Sequence, residues 1–228
     1  MNDPSPLHIA VDQIARFMDG EELTTRVAEA EQAMGGVPGS DIGEVSRKMG
    51  LNGPTLTSAL MVRRAFGRIS DVIHAATIVM TLEKVMEEGE VLVRPPSLGA
   101  GNDPGRPFDV ETDRRVAEFK AAEWKGADAM RKRTLFADLA RLAMEDSGRR
   151  KQLFVVGELP RRYLTTTRTS VSRVINRSSQ TLRDRMADRY GFLEMSVAEF
   201  TATHGSQVEV VNMEDIVPEL IRGLPNSR

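Results

Sequence analysis

Residues 109–124 read DVETDRRVAEFKAAEW, and their charged side chains alternate with apolar ones. An alternation with a period of two is typical of β-strands, in which successive side chains point to opposite faces of the sheet. The pattern predicts two strands, FDVET at 108–112 and RRVAEFKA at 114–121, around a tight turn at Asp113 and Arg114. A β-hairpin is therefore expected near the middle of the chain.

The turn also determines which side chains of this hairpin face one another. With Asp113 and Arg114 as the two central turn residues, Asp109 lies directly opposite Glu118, and their Cβ atoms are expected about 4.5–5.5 Å apart. Lys120 follows Glu118 by two residues and therefore shares its face of the sheet. A slip of one residue would move Asp109 to the opposite face. This register predicts that two carboxylates and one amine converge.

Two interpretations of this charged face are open from the residues alone. Alternating charges are usual on a strand whose outer face is solvated. The other interpretation is a metal site, because two carboxylates at this distance repel each other and a dication removes the repulsion. Carboxylate oxygens suit Mg²⁺ or Mn²⁺, and Mg²⁺ keeps several waters and uses only one or two carboxylates. Two acidic side chains are therefore a sufficient set of protein ligands.

The residues of the hairpin resemble a known motif. An aspartate on one strand followed by Glu-x-Lys on the next, here Asp109, Glu118 and Lys120, is similar to the motif of the restriction-endonuclease-like superfamily, the PD-(D/E)xK nucleases. That family often has proline just before the first acid. This chain departs from the pattern with Phe108 in that place, and Pro107 lies one residue earlier.

The order of predicted elements is similar to that family as well. Over about 71–157 we expect a helix, three strands that begin with VLVRPP at 91–96, an amphipathic helix at 128–144 and the buried strand QLFVVG at 152–157. The resemblance covers somewhat more than a third of the chain. It implies an α/β fold of the restriction-endonuclease-like type, a mixed sheet flanked by helices.

The resemblance also implies an activity and a set of roles. Asp109 and Glu118 would hold Mg²⁺, for which Mn²⁺ can substitute, and Lys120 would act at the attacking water. The preceding helix often supplies a further acidic ligand in this family, and Glu83 or Glu87 are the candidates here. The implied activity is metal-dependent hydrolysis of phosphodiester bonds, with DNA as the expected substrate. A two-fold homodimer would suit the cutting of both strands.

The composition excludes several other classes of site. The chain of 228 residues has no cysteine, so disulfides, thiol nucleophiles and cysteine-based zinc sites are excluded. Its three histidines lack metal-ligand spacing, and no G-x-S-x-G sequence is present. No apolar run approaches the ~18 residues of a membrane span, and the N-terminus does not read as a secretory signal. We therefore expect a cytoplasmic protein without membrane contact.

Local basic patches are the expected contacts with nucleic acid, because the net charge of the whole chain is −2. Arg131 and Lys132 lie in the helix after the Glu-x-Lys strand, and Arg168 and Arg173 lie in a stretch at 161–190 that has eight arginines and two aspartates. Arginine and hydroxyl side chains together suit contacts with a phosphate backbone. The alternative is that these residues form solvated helical faces.

The sequence pattern of the N-terminal part predicts a separate helical subdomain at 1–69. A nuclease-like core with a basic C-terminal extension is expected to follow at 70–228. Within the helical subdomain, 41–69 reads as a short helix, a turn at GLNG and a second helix. A helix-turn-helix has this pattern, and so does any pair of antiparallel helices. The alternative function is therefore a non-catalytic DNA-binding regulator.

Three further features near the hairpin are candidates for the site. Glu123 and Lys125 repeat the Glu-x-Lys spacing and could form a shifted version of the motif. Trp124, between them, could stack on a base or belong to the core. The loop SLGAGNDPGRP before the hairpin places Asn102 and Asp103 where they could line the site.

Overall fold

The protein is described here by a computed structural model that covers residues 4–99, 106–124, 129–191 and 194–222. It separates into two compact units, Met1–Ile69 and Ser70–Arg228. The boundary between them coincides with the one expected from the sequence.

The N-terminal unit is helical. Its described residues form the helices α1 (Pro6–Met18), α2 (Leu23–Ala33), α3 (Ile42–Lys48) and α4 (Gly53–Phe66). Two of them begin at side-chain caps: Ser5 accepts a hydrogen bond from the His8 backbone N–H, and Asn52 accepts one from Thr55. Helices α1 and α4 pack together, and the Gln13 amide donates to the Thr55 hydroxyl over 3.2 Å.

Helix α5 (Ile69–Val85) buries one face, which contains Thr77, Ile78, Thr81 and Leu82. The helix ends at Val85, and the chain then turns at Gly89 with a φ of +74°. That left-handed conformation is accessible to glycine at little cost.

The C-terminal unit is built on a four-stranded mixed sheet. The strands are β1 (Val110–Glu111), β2 (Arg115–Lys120), β3 (Arg150–Val155) and β4 (Val208–Asn212), in the order β1-β2-β3-β4. The β1–β2 pair is antiparallel, and the other two pairs are parallel. The expectation of an α/β fold with a mixed sheet flanked by helices is confirmed at this level.

The expected strand at 91–96 is wrong. The segment makes one isolated bridge, between Leu92 and Thr112, and the Val93 N–H donates to the Glu111 carbonyl over 3.0 Å. Pro95 and Pro96 have no N–H to continue the ladder, and the next backbone hydrogen bond to this side of the hairpin is from the Ser97 N–H to the Asp109 carbonyl, over 2.7 Å.

Seven helical segments complete the C-terminal unit in its described part. They are α6 (Ala129–Ala143), α7 (Glu158–Thr166), α8 (Val171–Ile175), α9 (Gln180–Tyr190), α10 (Val197–Thr203), a 3₁₀ turn (Met213–Asp215) and α11 (Glu219–Arg222). The basic stretch at 161–190 is thus divided among three helices. Helix α10 was not predicted; it begins at a capping box formed by Ser196 and Glu199.

Side chains of β2 alternate between two hydrophobic clusters on opposite faces of the sheet. Val116 packs in a cluster with Leu135 of α6, whereas Ala117 and Phe119 pack in a cluster with Ile78 of α5. Because the side-chain period of a strand is two, Glu118 and Lys120 share the face of Val116. The fold therefore directs the Glu-x-Lys pair toward α6.

One helical stretch in the described part of the chain, Gly53–Val85, is long and apolar enough to cross a membrane by length and composition alone, with a mean hydropathy of 1.2. Helices in the interior of soluble proteins also satisfy this criterion, so the stretch is weak evidence for a membrane span. The cytoplasmic location stays a prediction.

Candidate active site

The register of the hairpin is the expected one. Val110 pairs with Ala117 and Glu111 pairs with Val116, and this series continues to Asp109 opposite Glu118. The turn closes through Thr112, whose N–H donates to the Arg115 carbonyl over 2.9 Å and whose hydroxyl accepts from the Arg115 N–H over 2.8 Å. The prediction that Asp109 and Glu118 lie opposite each other is confirmed.

Asp109 is fixed in place by backbone and side-chain neighbours. Its Oδ2 atom accepts a hydrogen bond from the Phe119 N–H over 2.9 Å. On its other side, the His74 Nε2 atom of α5 lies 4.0 Å from Oδ1, and the two side chains are 13% and 18% exposed. His74 was not predicted as part of the site, because it lies 35 residues earlier in the sequence without ligand spacing.

Glu118 is buried, with only 7% of its surface exposed. Burial raises the pKa of its carboxyl well above the usual range, and the negative charges of Asp138 and Asp109 raise it further. A hydrogen bond between the Glu118 and Asp109 carboxyls also favours the protonated form. The interpretation of this strand face as a solvated one is therefore wrong for Glu118.

Lys120 forms an ion pair with an acid that the sequence did not single out. Its Nζ atom lies 2.5 Å from Oδ2 of Asp138, a residue of α6 that is only 4% exposed. Burial alone would lower the pKa of the Lys120 ammonium, but the charges of Asp138 and Glu118 raise it. Arg141 donates to the other Asp138 oxygen over 2.6 Å. Lys120 is thus held as a cation.

Asp138 could have been found from its position in the helix pattern. It lies between Leu135 and Leu142 on the apolar stripe of α6, where an acid is costly unless it is paired. Both oxygens of Asp138 have such a partner: the Lys120 ammonium hydrogen-bonds to Oδ2, and Arg141 donates to Oδ1.

The carboxylates fit a hard dication with few protein ligands. Asp109 and Glu118 touch, and Asp138 adds a third negative charge nearby. Within the described ranges no group of three or more His, Cys, Asp or Glu side chains is arranged to hold a metal ion. Mg²⁺ accepts two carboxylates with water completing its shell, so Asp109 and Glu118 are the candidate ligands.

The structure does not bring Glu83 or Glu87 into this site. The Glu83 side chain is 71% exposed and lies 3.8 Å from Lys84, while Glu87 pairs with Arg114 and Arg150. The reason is the phase of α5. Because Ile78 faces the sheet, the residue one turn earlier, His74, lies on the same side, whereas Glu83 points away.

A cavity of about 1330 Å³ opens over the carboxylates. Its lining includes Asp109, Glu118, Lys120, Asp138, His74, Trp124, Arg131, Arg141, Ser179, Thr181 and Arg185. Trp124 is 8% exposed, and its ring packs against Tyr163 at a centroid distance of 5.7 Å. It belongs mainly to the core and borders the cavity.

The four residues predicted to contact nucleic acid lie in different places. Arg131 lines the cavity and donates to the Glu123 carbonyl, whereas Lys132, one residue further round the helix, lies over the Tyr163 ring at 5.6 Å. Arg168 and Arg173 are exposed and are not among the lining residues described. Arg141 and Arg185 line the cavity; Arg141 was not predicted, and Arg185 lies in the predicted basic stretch without having been singled out.

Several sequence predictions concern residues outside the described ranges or outside this unit. Lys125 of the alternative motif, and Asn102 and Asp103 of the loop, lie outside the described residues. The helix-turn-helix prediction concerns the N-terminal unit. There, α3 and α4 are separated by a turn at Gly50 with a φ of +78°, as that interpretation requires. Whether this pair binds DNA stays a prediction.

The chain was compared with known protein families, curated proteins and solved structures. No family model, no curated protein and no solved structure matches the chain. The arguments for function therefore come from the geometry of this site.

Proposed function

We propose that the protein is a metal-dependent nuclease that hydrolyses phosphodiester bonds in DNA. The observation that carries the proposal is the buried Glu118 in contact with Asp109, with Lys120 held beside it at the same face of an open cavity. Burial of like charges is unfavourable for folding, so a site of this kind is a candidate for function. The finer assignment to the restriction-endonuclease-like fold is part of the same proposal.

Asp109 and Glu118 would hold the metal, Mg²⁺ or Mn²⁺. When bound, such an ion activates a water and stabilises negative charge on a phosphate. The protein's own contribution is to keep two carboxylates together against their repulsion. It does so through the Phe119 N–H, which orients Asp109, and through the strand pairing that places Glu118 opposite.

Lys120 would stabilise charge on the phosphate during hydrolysis. The resemblance implied that Lys120 acts at the attacking water. Asp138 and Glu118 raise the pKa of Lys120, so the amine stays protonated at neutral pH and is a poor base. An ammonium group beside the reacting phosphate gives electrostatic stabilisation. Asp138 is then a positioning residue, which acts through Lys120.

The test is a cleavage assay with the purified full-length protein. Supercoiled plasmid, linear duplex and single-stranded DNA are incubated with Mg²⁺, Mn²⁺ or EDTA. We expect nicking or cutting that needs the metal and stops with EDTA. No cleavage of any substrate under any metal condition would refute the nuclease and favour the DNA-binding regulator.

Lys120→Ala is expected to reduce the rate of cleavage by roughly 10²–10³-fold, the usual cost of removing one preorganised group that stabilises charge in a transition state. Lys84→Ala is the control, because Lys84 is exposed and its only described ion pair is with Glu83. Both variants are measured with the same plasmid and Mg²⁺ concentration. Equal rates for Lys120→Ala and wild type would remove Lys120 from the mechanism.

Asp138→Asn is expected to lower kcat by roughly 10–100-fold with little change in KM, as is usual when the partner that orients a catalytic group is lost. The amide keeps the shape of the side chain but no longer pairs with the ammonium of Lys120. Asp188→Asn, an exposed aspartate of α9, is the control. Partial recovery in Asp138→Glu would separate a positioning role from a purely structural one, and an unchanged kcat in Asp138→Asn would contradict it.

The regulator alternative receives less support from its helices. Bases are usually read by residues in the first turns of a recognition helix. In α4 these turns contain Thr55, which is buried, and no basic residue, while Arg63 and Arg64 lie in the last turn. The homodimer also stays a prediction.

A further inference from the structure

The cavity over Asp109 and Glu118 has a second wall that is rich in arginine and hydroxyl groups. Arg141 of α6 contributes to it, and so do Ser179, Thr181 and Arg185 at the start and middle of α9. The acidic site and this wall therefore open into one continuous space of about 1330 Å³.

Packing of α9 fixes the position of this wall. Leu182 and Met186 are buried in the same hydrophobic cluster as Leu135 and Leu139 of α6. Arg185 lies between Leu182 and Met186 in sequence and is exposed. The helix thus has a buried face against the core and an exposed face that borders the cavity.

Two acidic residues on the rim beside this wall, Glu145 and Asp146, already bind other groups. Asp146 pairs with Arg189 through two hydrogen bonds of 2.5 and 2.6 Å. Glu145 accepts from the Ser147 N–H over 3.0 Å and from Arg149 over 3.4 Å. Arg185 makes no hydrogen bond or ion pair with the residues that the structure describes, although it acts on Asp146 through its charge.

Arg141 also retains binding capacity. One of its nitrogens donates to Asp138 over 2.6 Å, and its side chain is 35% exposed. A guanidinium carries five N–H groups, so a single carboxylate oxygen leaves donors for a further acceptor.

We propose that Arg141, Ser179, Thr181 and Arg185 form a contact site for the sugar–phosphate backbone of a nucleic-acid strand, next to the carboxylates of Asp109 and Glu118. The inference rests on the proposed nuclease function and names how its substrate is held. Arginine binds phosphate through planar, bidentate hydrogen bonds, and hydroxyls donate to phosphate oxygens. Such contacts position the strand without reading its sequence.

Arg168 and Arg173 provide a matched comparison. They belong to the same basic stretch as Arg185 and are exposed, but they are not among the described residues that line the cavity. If overall charge alone attracted DNA, the two pairs of arginines would be equivalent. If the cavity wall holds the sugar–phosphate backbone of the DNA, only the loss of Arg141 and Arg185 weakens binding strongly.

The experiment measures binding of a fluorescent single strand and of a duplex by anisotropy, over a series of salt concentrations, with EDTA present. The proteins are full-length wild type, Arg141→Gln with Arg185→Gln, and Arg168→Gln with Arg173→Gln. Both double variants lose two positive charges. The single variant Arg185→Gln is added, because Arg185 is exposed and its replacement leaves the fold intact even if loss of Arg141 does not.

We expect the cavity pair to raise the Kd roughly tenfold or more for each arginine, as loss of charged hydrogen bonds to phosphate does. The slope of log Kd against log salt should fall by about 0.7–0.9 for each lost contact. The control pair should change the Kd by less than about threefold. Equal weakening by the two pairs, or none in Arg185→Gln, would overturn the proposal.

Cleavage is assayed in parallel, so that failure of this proposal can be told apart from failure of the nuclease. Wild type that cleaves, with cavity variants that bind and cleave like the control pair, would refute the backbone site and keep the nuclease. Wild type that binds through the cavity arginines but never cleaves would keep the backbone site and refute the nuclease.

Discussion

Glu118→Gln is expected to abolish cleavage and, at the same time, to make the protein more stable. Loss of the carboxylate removes a candidate metal ligand, and we expect the rate to fall by at least about 10²-fold. The stability should rise because Glu118 is buried beside Asp109 and Asp138, which repel its charged form. A strained site that is costly for folding is a common property of functional residues.

The pH dependence of stability gives this prediction a definite sign. The pKa of Glu118 is raised in the folded state, so its contribution is most favourable below the unfolded pKa and is lost as the pH rises through the folded pKa. Wild type should therefore lose stability relative to Glu118→Gln as the pH rises from the unfolded pKa of about 4.5 through the raised pKa of the folded state. Urea unfolding at several pH values measures this difference.

Glu83→Gln is the matched control for Glu118→Gln. Both changes remove one carboxylate, but Glu83 is exposed and outside the cavity. We expect it to leave cleavage and stability unchanged. Mg²⁺ should also raise the Tm of wild type and of Glu83→Gln, since a ligand that binds only the folded state stabilises it, and should have little effect on Glu118→Gln. A Glu118→Gln protein that cleaves at the wild-type rate would refute the assigned site.

Arg115→Ala is expected to lower the free energy of unfolding by about 3–5 kcal/mol, the usual cost of leaving one partner of a buried ion pair alone. Arg115 is 1% exposed, and its guanidinium donates to both oxygens of Glu90 over 2.5 Å. It also donates to Gln152 over 3.0 Å and to the Val85 carbonyl over 2.6 Å. These bonds join α5, the turn after it, β2 and β3.

The ion pair of Arg115 and Glu90 also predicts how the free energy of unfolding depends on pH. Burial would raise the pKa of Glu90, but hydrogen bonds from Arg115 and Thr112 lower it to about 2. A lowered pKa stabilises the fold above the unfolded value, so this contribution should be lost as the pH falls from about 4.5 toward 2. Arg115→Ala should remove that dependence.

Arg114→Ala is the comparison for Arg115→Ala. Arg114 is the neighbouring residue, but it is partly exposed and pairs with the exposed Glu87 at 3.2 Å. Exposed ion pairs contribute little, so we expect almost no change. The double variant Arg115→Met with Glu90→Leu should recover much of the lost stability, because an apolar pair carries no desolvation cost. Urea unfolding that shows Arg115→Ala as stable as Arg114→Ala would contradict the role of the buried network.

Local patterns of the sequence were sufficient for the hairpin and for the boundary of the two units. The alternation at 109–124 and the turn at Asp113 and Arg114 led to the register that places Asp109 opposite Glu118. Strand β3 was recognised from the apolar residues of QLFVVG at 152–157, because such a run is expected of a strand buried on both faces, although the strand itself begins and ends two residues earlier, at Arg150 and Val155. Each of these predictions uses residues that are close together in the sequence. Which way their side chains point follows from the periodicity of the backbone.

Contacts between distant segments could not be obtained in this way. His74 and Asp138 reach the site from α5 and α6, 35 residues before Asp109 and 18 residues after Lys120. Their positions depend on the rotation of each helix against the sheet, which is a result of packing in the two hydrophobic clusters. The same packing turns Glu83 away from the site. It had been predicted as a further metal ligand because it is an acidic residue on the helix before the hairpin.

The charge state of the site was also a product of packing rather than of local sequence. Glu-x-Lys on a strand is equally compatible with a solvated face and with a buried site, because the spacing of two residues is the same in both. Packing of α6 over β2 buried Glu118 and brought Asp138 to Lys120. The sequence thus specified which residues share a face, and the tertiary fold, by removing water from that face, decided that their charges interact strongly.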